Sequence, residues 1–278
     1  SGRRLVSNRS VASQSFNFIR VPQMTPLLSF DDNVAVITLN RPESLNALSF
    51  AIMSALNELL SEVERSEARG LIITGAGSKA FSAGADIGEL RNRTMREQRE
   101  STQYGQAVFR RLEQLRQPSL ALINGYAFGG GLELAMACTF RLAHKEAKMG
   151  LPEIKLGLIP GYGGTQRLPR LVGQGRALDM ILSGRTVSAV EAEQIGLVNG
   201  LVEDASISSA KSYLGPVLEY SQVALNLARS AVARAFDKSL SEGQAIETDL
   251  STLAFQSRDS EEGMMAFLEK RKAVFKDV

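Results

Sequence analysis

The sequence predicts an α/β fold: a layered core of mostly parallel strands followed by a helical C-terminal region. Two observations carry this. Short β-rich runs alternate with helical apolar stripes from residue 33 to about residue 200. Past the last of those runs, at 197–204, the apolar spacing is helical to the end.

The elements follow in order. "NVAVITLN" (33–40) is a strand stopped by the Arg41–Pro42 breaker. Ile52, Leu56, Leu59, Leu60 and Val63 are the buried stripe of a helix that starts near Ser49. "GLIITGAG" (70–77) is a strand running into glycine, and 94–117 is polar with helical spacing. "SLALINGYAF" (119–128) reads as one strand, with a helix from Gly131 behind it. "FRLAHKEAKMGLPE" (140–153) alternates as a strand or strand pair. "TQRLPRLVG", "RALDMILSG" and "SAVEAEQIG" are short helices closed by glycine, a helix-ending signature. "LVNGLVED" (197–204) is a short strand; 221–237, 241–256 and 260–275 are helices. The chain thus divides into a leader at 1–24, a core at 25–200 and a helical region at 201–278. The leader holds Arg3, Arg4, Arg9 and Arg20, five serines and no acidic residue. That composition fits a mitochondrial presequence, and equally an extraneous leader before a start at Met24. The matching expectation for location is the mitochondrial matrix in the first case and a bacterial cytoplasm in the second.

Composition narrows the chemistry. The 278 residues give ample length for a core, and 32 basic against 30 acidic residues leave a net charge of +2. Neither nucleic acid nor a membrane is expected as a partner from that balance, and no apolar run approaches the roughly 20 residues of a spanning helix. A single cysteine, Cys138, excludes an internal disulfide and a cysteine-based zinc site, and fits a reducing compartment. A single histidine, His144, excludes multi-histidine metal sites. Cys138 reads as core and His144 as surface. Catalysis then rests on carboxylates, backbone dipoles or a bound cofactor.

"GYAFGGGLELAMAC" (125–138) is the stretch that raises a chemical question. A phosphate loop needs Gly-Lys-Ser/Thr and a dinucleotide fingerprint needs G-x-G-x-x-G; neither is present, nor is the G-x-S-x-G of a serine elbow. Glycines opening a helix still expose unpaired N–H groups at the positive end of its dipole. Such groups stabilise a developing oxyanion, and tight helix–sheet packing explains the same glycines equally well. Glu133 is the one charge in that apolar run, and Glu153 stands in the similarly apolar "MGLPEIKLGLIPGYGG". Two carboxylates in one pocket divide acid and base roles when their environments differ. Asp86, in "FSAGADIGEL", reads first as a helix cap that turns the N–H of Ala85 outward.

Taken together, "RPESLNAL" (41–48), "KAFSAGADI" (79–87), "NGYAFGGGLELAMAC" (124–138), "PEIKLGLIPGYGGTQRLPRLVG" (152–173), "GLV" (196–198) and "EGMMAFLEKRK" (262–272) resemble the enoyl-CoA hydratase/isomerase (crotonase) superfamily. They cover the chain from about residue 30 to its end. The resemblance implies a spiral of β-β-α turns with a C-terminal helical trimerisation region, assembling as a homotrimer or homohexamer. It implies an acyl-CoA thioester as substrate, with coenzyme A entering as part of the substrate and no separate cofactor or metal. By motif, Ala85 and Gly130 supply the oxyanion hole, Glu133 and Glu153 are the catalytic carboxylates, and Gly161 positions the water. Ala47, Lys79, Ala83, Asp86, Ile87, Gly88 and Lys270 fall in segments that meet CoA or the acyl chain. Lys270 matches a lysine that reaches across a subunit boundary, and it also reads as a cation easing a helix end. Tyr162 is placed against the acyl pocket.

The activity implied is hydration of a 2-enoyl-CoA of short or medium length to a 3-hydroxyacyl-CoA, in fatty-acid or branched amino-acid breakdown. The alternatives are enoyl-CoA isomerisation and methylglutaconyl-CoA hydration. Retention of both glutamates favours hydration. A different class is an RNA-binding member of the family. Against it, the first helix, read over 49–69, carries Glu58, Glu62, Glu64 and Glu67 and no lysine.

Overall fold

The computed structural model describes residues 26–278, so the leader at 1–24 lies outside the described residues. Along the chain run β1 (Leu27–Asp31), β2 (Val34–Leu39), α1 (Phe50–Arg65), β3 (Gly70–Gly75), β4 (Ala80–Ser82), α2 (Ile87–Leu90) and α3 (Met95–Gln114). Next come β5 (Ser119–Ile123), β6 (Tyr126–Phe128), α4 (Gly130–Ala137), β7 (Phe140–His144) and β8 (Lys148–Gly150). The remainder is α5 (Gly164–Val172), α6 (Gln174–Ser183), β9 (Val187–Ser188), α7 (Ala189–Gln194), β10 (Gly200–Val202), α8 (Ile207–Leu218), α9 (Gln222–Arg234), α10 (Leu240–Phe255) and α11 (Arg258–Glu269). Single turns of 3-10 helix stand at Pro42–Ser44 and Glu153–Leu156.

Two sheets grow together. The larger has the order β1-β2-β3-β5-β7-β10, the smaller β4-β6-β8-β9. Successive pairs β3/β4, β5/β6 and β7/β8 each place one strand in either sheet before the chain turns helical. The chain is therefore a spiral of β-β-α turns stacked with parallel pairing. In register, Val36 faces Ile72, Ile72 faces Leu120, and Leu120 faces Phe140. Side chains alternate across the larger sheet. Ala35, Ile37, Ile73, Ala121 and Ile123 enter the main core with α1, α3 and α4. Val34, Val36, Ile72, Leu120 and Leu122 face the other way, against Ala210, Leu214 and Leu218 of α8. The first of the C-terminal helices thus closes the far face of the sheet. No helix of the described residues is long and apolar enough to cross a membrane.

Two local readings change, and a third resolves to one of its alternatives. The strand β1, which pairs antiparallel with β2, gave no signal because four of its five residues are exposed and it has no apolar alternation. The run 119–128 is two strands in different sheets, not one. The Asn124 side chain donates to the carbonyls of Gly75 and Gly77 at 2.9 and 2.8 Å and accepts from the Gly75 N–H at 3.2 Å, which turns the chain there. At Gly125 a Cβ would stand 2.3 Å from the Lys79 carbonyl oxygen, so the second strand begins where only glycine lets the two sheets cross. The run 140–153 resolves into the strand pair β7 and β8.

Helix starts follow side-chain caps. Ser49 accepts from the Ile52 N–H, and Thr94 with Glu97 forms a reciprocal capping box for α3. Because Asn124 satisfies three backbone groups at the sheet crossing, Asn124→Ala should lower unfolding free energy by about 1–3 kcal/mol. Urea denaturation with an unchanged m-value would show it; a loss under ~0.5 kcal/mol would refute this account of the turn.

Candidate active site

The site begins at the ends of β4 and β6. Asn46, buried and in a left-handed conformation, donates to the Ala76 and Ala80 carbonyls and so ties the 41–48 segment to β4. Leu48 then forms a parallel bridge with Ala85: its N–H donates to Gly84 O at 2.7 Å, and Asp86 N–H donates to Leu48 O at 3.1 Å. In such a bridge the flanking residues make the bonds, so the N–H of Ala85 points away from Leu48. It donates to no acceptor among the described residues. Nor does the N–H of Gly130, the first residue of α4, where helix geometry leaves the amide free. A Cβ on Gly130 would stand 3.4 Å from the Ala85 nitrogen. The two free amides thus flank a space that any side chain at 130 would fill.

The glycine triplet serves close packing on either side of that space. A Cβ at Gly131 would fall 2.2 Å from Ser82 O, and one at Gly129 3.1 Å from Glu153 Oε1. Gly129 also has φ +51°, which turns the chain from β6 into the helix.

Glu133 lies one turn into α4 and is almost wholly buried, at 1% exposure. Its Oε1 accepts the N–H groups of Tyr162 and Gly164 at 2.8 and 2.7 Å. Burial pushes its carboxyl up to about 7, with the nearby Glu153 adding to the rise; the two amides and the Arg167 cation pull the other way. Glu153 opens the second 3-10 turn. Burial raises its carboxyl as well, and its Oε2 is buried with no hydrogen-bond partner among the described residues. An unpartnered buried carboxyl oxygen next to a second carboxylate is a place for a polar ligand.

Both glutamates line a cavity of about 370 Å³, together with Ala83, Ala85, Ile87, Gly130 and Gly161. Gly161 N–H has no acceptor among the described residues, and its carbonyl accepts from Gln106 Nε2 at 2.8 Å. The apolar walls are Leu90, Leu156, Leu158, Ile159 and the ring of Tyr162. Apolar walls beside two amide donors and a carboxyl pair suit a partly apolar ligand with a polar reacting end.

A family model described as enoyl-CoA hydratase/isomerase matches residues 29–278. The chain belongs to the enoyl-CoA hydratase/isomerase family. It is 42% identical over 251 residues to the crotonyl-CoA hydratase of Syntrophomonas wolfei, covering 90% of this chain and 96% of that one. It is 41% identical over 248 residues to the short-chain-enoyl-CoA hydratase of Clostridium acetobutylicum, covering 88% and 95%. A crystal structure of the enoyl-CoA hydratase from Bacillus anthracis superposes with a TM-score of 0.86 at 37% identity, covering 91% of this chain and 99% of that one.

Of the residues expected in the family's site, Ala83, Ala85, Ile87, Gly130, Glu133, Glu153 and Gly161 come together at the cavity. Five do not line it in the single chain. Ala47 is half-buried just before the Leu48–Ala85 bridge, its N–H donating to Ser44 O at 3.0 Å, and Lys79 is exposed. Asp86 caps α2 through the Gly88 N–H at 3.0 Å and pairs with Arg41 at 2.7 Å. The arginine beside it holds the Asp86 carboxyl below its ordinary value. Lys270 ends α11 in a left-handed cap. Thr102 and Gln98 of α3 are cavity residues that the sequence reading did not name. Their polar helical stretch looks like any solvated face until the 158–162 loop is laid over it. Cys138 is buried at the end of α4, its thiol pushed up to about 12. His144 is half-buried on β7, where its Nδ1 accepts the Glu146 N–H at 3.3 Å.

The environment of Glu133 makes a stability prediction. Its folded value near 7 lies above the ordinary 4.5, so the native state holds the proton more tightly than the unfolded chain. That contribution is complete below about pH 4.5 and is lost as pH rises to 7. Glu133→Gln should therefore gain in Tm relative to the parent as pH is raised from 5 to 8. A Tm difference that stays flat across this range would contradict the burial and coupling described here.

Proposed function

We propose that this chain is an enoyl-CoA hydratase that adds water across the 2,3 double bond of a short- or medium-chain 2-enoyl-CoA. The observation that carries the reading is the meeting of two free amides and two buried carboxyls in one cavity. The thioester oxygen lies between the N–H groups of Ala85 and Gly130, which draw electron density out of the conjugated double bond and favour enolate character. A water sits between Glu133 and Glu153, with the Gly161 N–H as a further donor. Glu133 is the base, since two amides hold its Oε1 and support the anion, and Glu153, whose Oε2 has no partner among the described residues, is the acid. As the water oxygen bonds to Cβ, Glu133 takes the water proton, the double-bond pair moves onto the thioester, and Glu153 delivers a proton to Cα. Atoms and charge balance without a separate cofactor, since coenzyme A enters as part of the substrate.

Self-association completes the reading. Val232, Phe236, Leu240, Phe267 and Leu268, on or just beyond α9, α10 and α11, expose large apolar side chains. Large apolar side chains exposed on three successive helices support a homotrimer or homohexamer through the C-terminal region. Lys270, on the same region, then stands where a neighbour's substrate passes.

The test follows loss of enoyl absorbance across a panel of acyl-CoAs. Glu133→Gln and Glu153→Gln should each lower kcat by roughly 10²–10⁴. Turnover at the parent rate in both would sink the mechanism, and activity confined to a 3-enoyl-CoA would favour isomerisation instead. The acid limb of the rate profile should fall near pH 7, where Glu133 protonates. Gly130→Ala, which fills the gap between the amides, should cost about 10²–10³ in kcat while the fold is kept. Salt-sensitive RNA binding on filters would revive the nucleic-acid reading.

A further inference from the structure

The turn that holds Glu133 is itself held, and from one helix face. The peptide group joining Gly161 to Tyr162 donates its N–H to Glu133 Oε1 and receives Gln106 Nε2 on its carbonyl at 2.8 Å. The next peptide group presents the Tyr162 carbonyl to Arg167 Nη1 at 2.7 Å. Arg167 is fixed in turn by a two-pronged pair with Glu113, Nε to Oε1 at 2.6 Å and Nη2 to Oε2 at 2.8 Å. Its guanidinium lies where a side chain of residue 163 would go: a Cβ there would fall 2.2 Å from Nη1. Between the two grips, the Tyr162 ring meets Phe109 edge-on at 5.6 Å and fills the notch left by Gly105, where a Cβ would come within 2.4 Å of it. Gly105, Gln106, Phe109 and Glu113 all belong to α3, spaced to share a face.

On the reading of Glu133 as the acid–base carboxylate, we propose that Gln106 and Arg167 are positioning residues. They grip two successive peptide groups so that the amides of Tyr162 and Gly164 stay aimed at Glu133 Oε1. Neither touches the reacting atoms. Gln106 acts by polarising and orienting the very peptide whose N–H meets the carboxylate, and bonded chains of this kind strengthen one another. Arg167 acts by geometry and by charge. Among the described residues, the ionisable groups facing Glu133 are Glu153 from the 3-10 turn, Arg167 from α5 and the Tyr162 phenol from the loop; α3 contributes Glu113 through Arg167. Loosening the amides destabilises the Glu133 anion, so its titration moves to higher pH.

Gln106→Leu changes no charge, and Arg167→Lys keeps the charge but cannot serve Glu113 and the Tyr162 carbonyl with the same fork. Glu113→Gln stands in should the arginine variant fail to fold. The first measurement needs no turnover. The Tm difference between each variant with and without Glu133→Gln, followed from pH 5 to 8, reads the titration of Glu133. The midpoint should rise by roughly half a unit or more, the share of one hydrogen bond to a charged group. The second is kinetic: kcat should fall about fivefold with KM within about twofold, and the acid limb should move up with the midpoint. In the Glu133→Gln background the same changes should add nothing further to the loss in kcat. An unmoved midpoint with losses that multiply fully on Glu133→Gln would overturn the proposal. A shifted midpoint with parent-level turnover in Glu133→Gln would uphold the positioning and sink only the catalytic reading on which it rests.

Discussion

The site depends on how closely α4 approaches the strand beside it. Gly131 lies so near Ser82 that a single methyl group would occupy the space of its carbonyl oxygen. That contact sets the depth of the helix, and the helix carries both the free amide of Gly130 and the buried carboxyl of Glu133. Move α4 outward by the width of a side chain and the amide leaves Ala85, while the carboxylate loses the turn at 162–164. Dense packing turns such a displacement into strain in the surrounding core rather than a tolerated adjustment.

Electrostatically the two glutamates are unequal because their supports differ. Glu133 sits in a regular helix inside the main core, and amides from a separate segment meet one of its oxygens. Glu153 sits on a single 3-10 turn at the cavity wall, with a buried oxygen that has no partner among the described residues. Desolvation raises both. What separates them is depth and hydrogen-bond supply: Glu133 is the more deeply buried but has two amides to offset the cost of charge, and Glu153 is nearer the surface with an oxygen left free.

Much of this was legible in the sequence because it rests on short-range requirements. The parallel strands announced themselves as apolar runs, Ser49 and Asp86 as caps, and the glycine triplet with Glu133 as an anomaly within an apolar helix. What escaped was what depends on long-range packing. The break at Asn124 looks like strand interior until the neighbouring strand supplies Gly75 and Gly77 as partners. The edge strand β1 has no periodicity because almost nothing covers it. The cavity role of Gln98 and Thr102 comes from a loop some sixty residues on, and the clamp on Tyr162 joins residues of α3 and α5 that have no sequence signal in common.

The spiral also explains why the groups of the site stand at the separations they do. Ala85 follows the end of β4, Gly130 the end of β6 and Glu153 the end of β8, each by two or three residues. Those three strands are parallel neighbours in the smaller sheet. The spacing between donors and acid is therefore inherited from the rise between adjacent strands, about 4.8 Å, and not from the length of chain between them. The lengths of the intervening excursions, twenty residues of helix in α3 and eight in α4, do not enter that spacing, although both helices pack back against the site. The strand ends act as a fixed ruler on which the donors and the acid are marked, and the helices are set against that ruler whatever the length of chain that forms them.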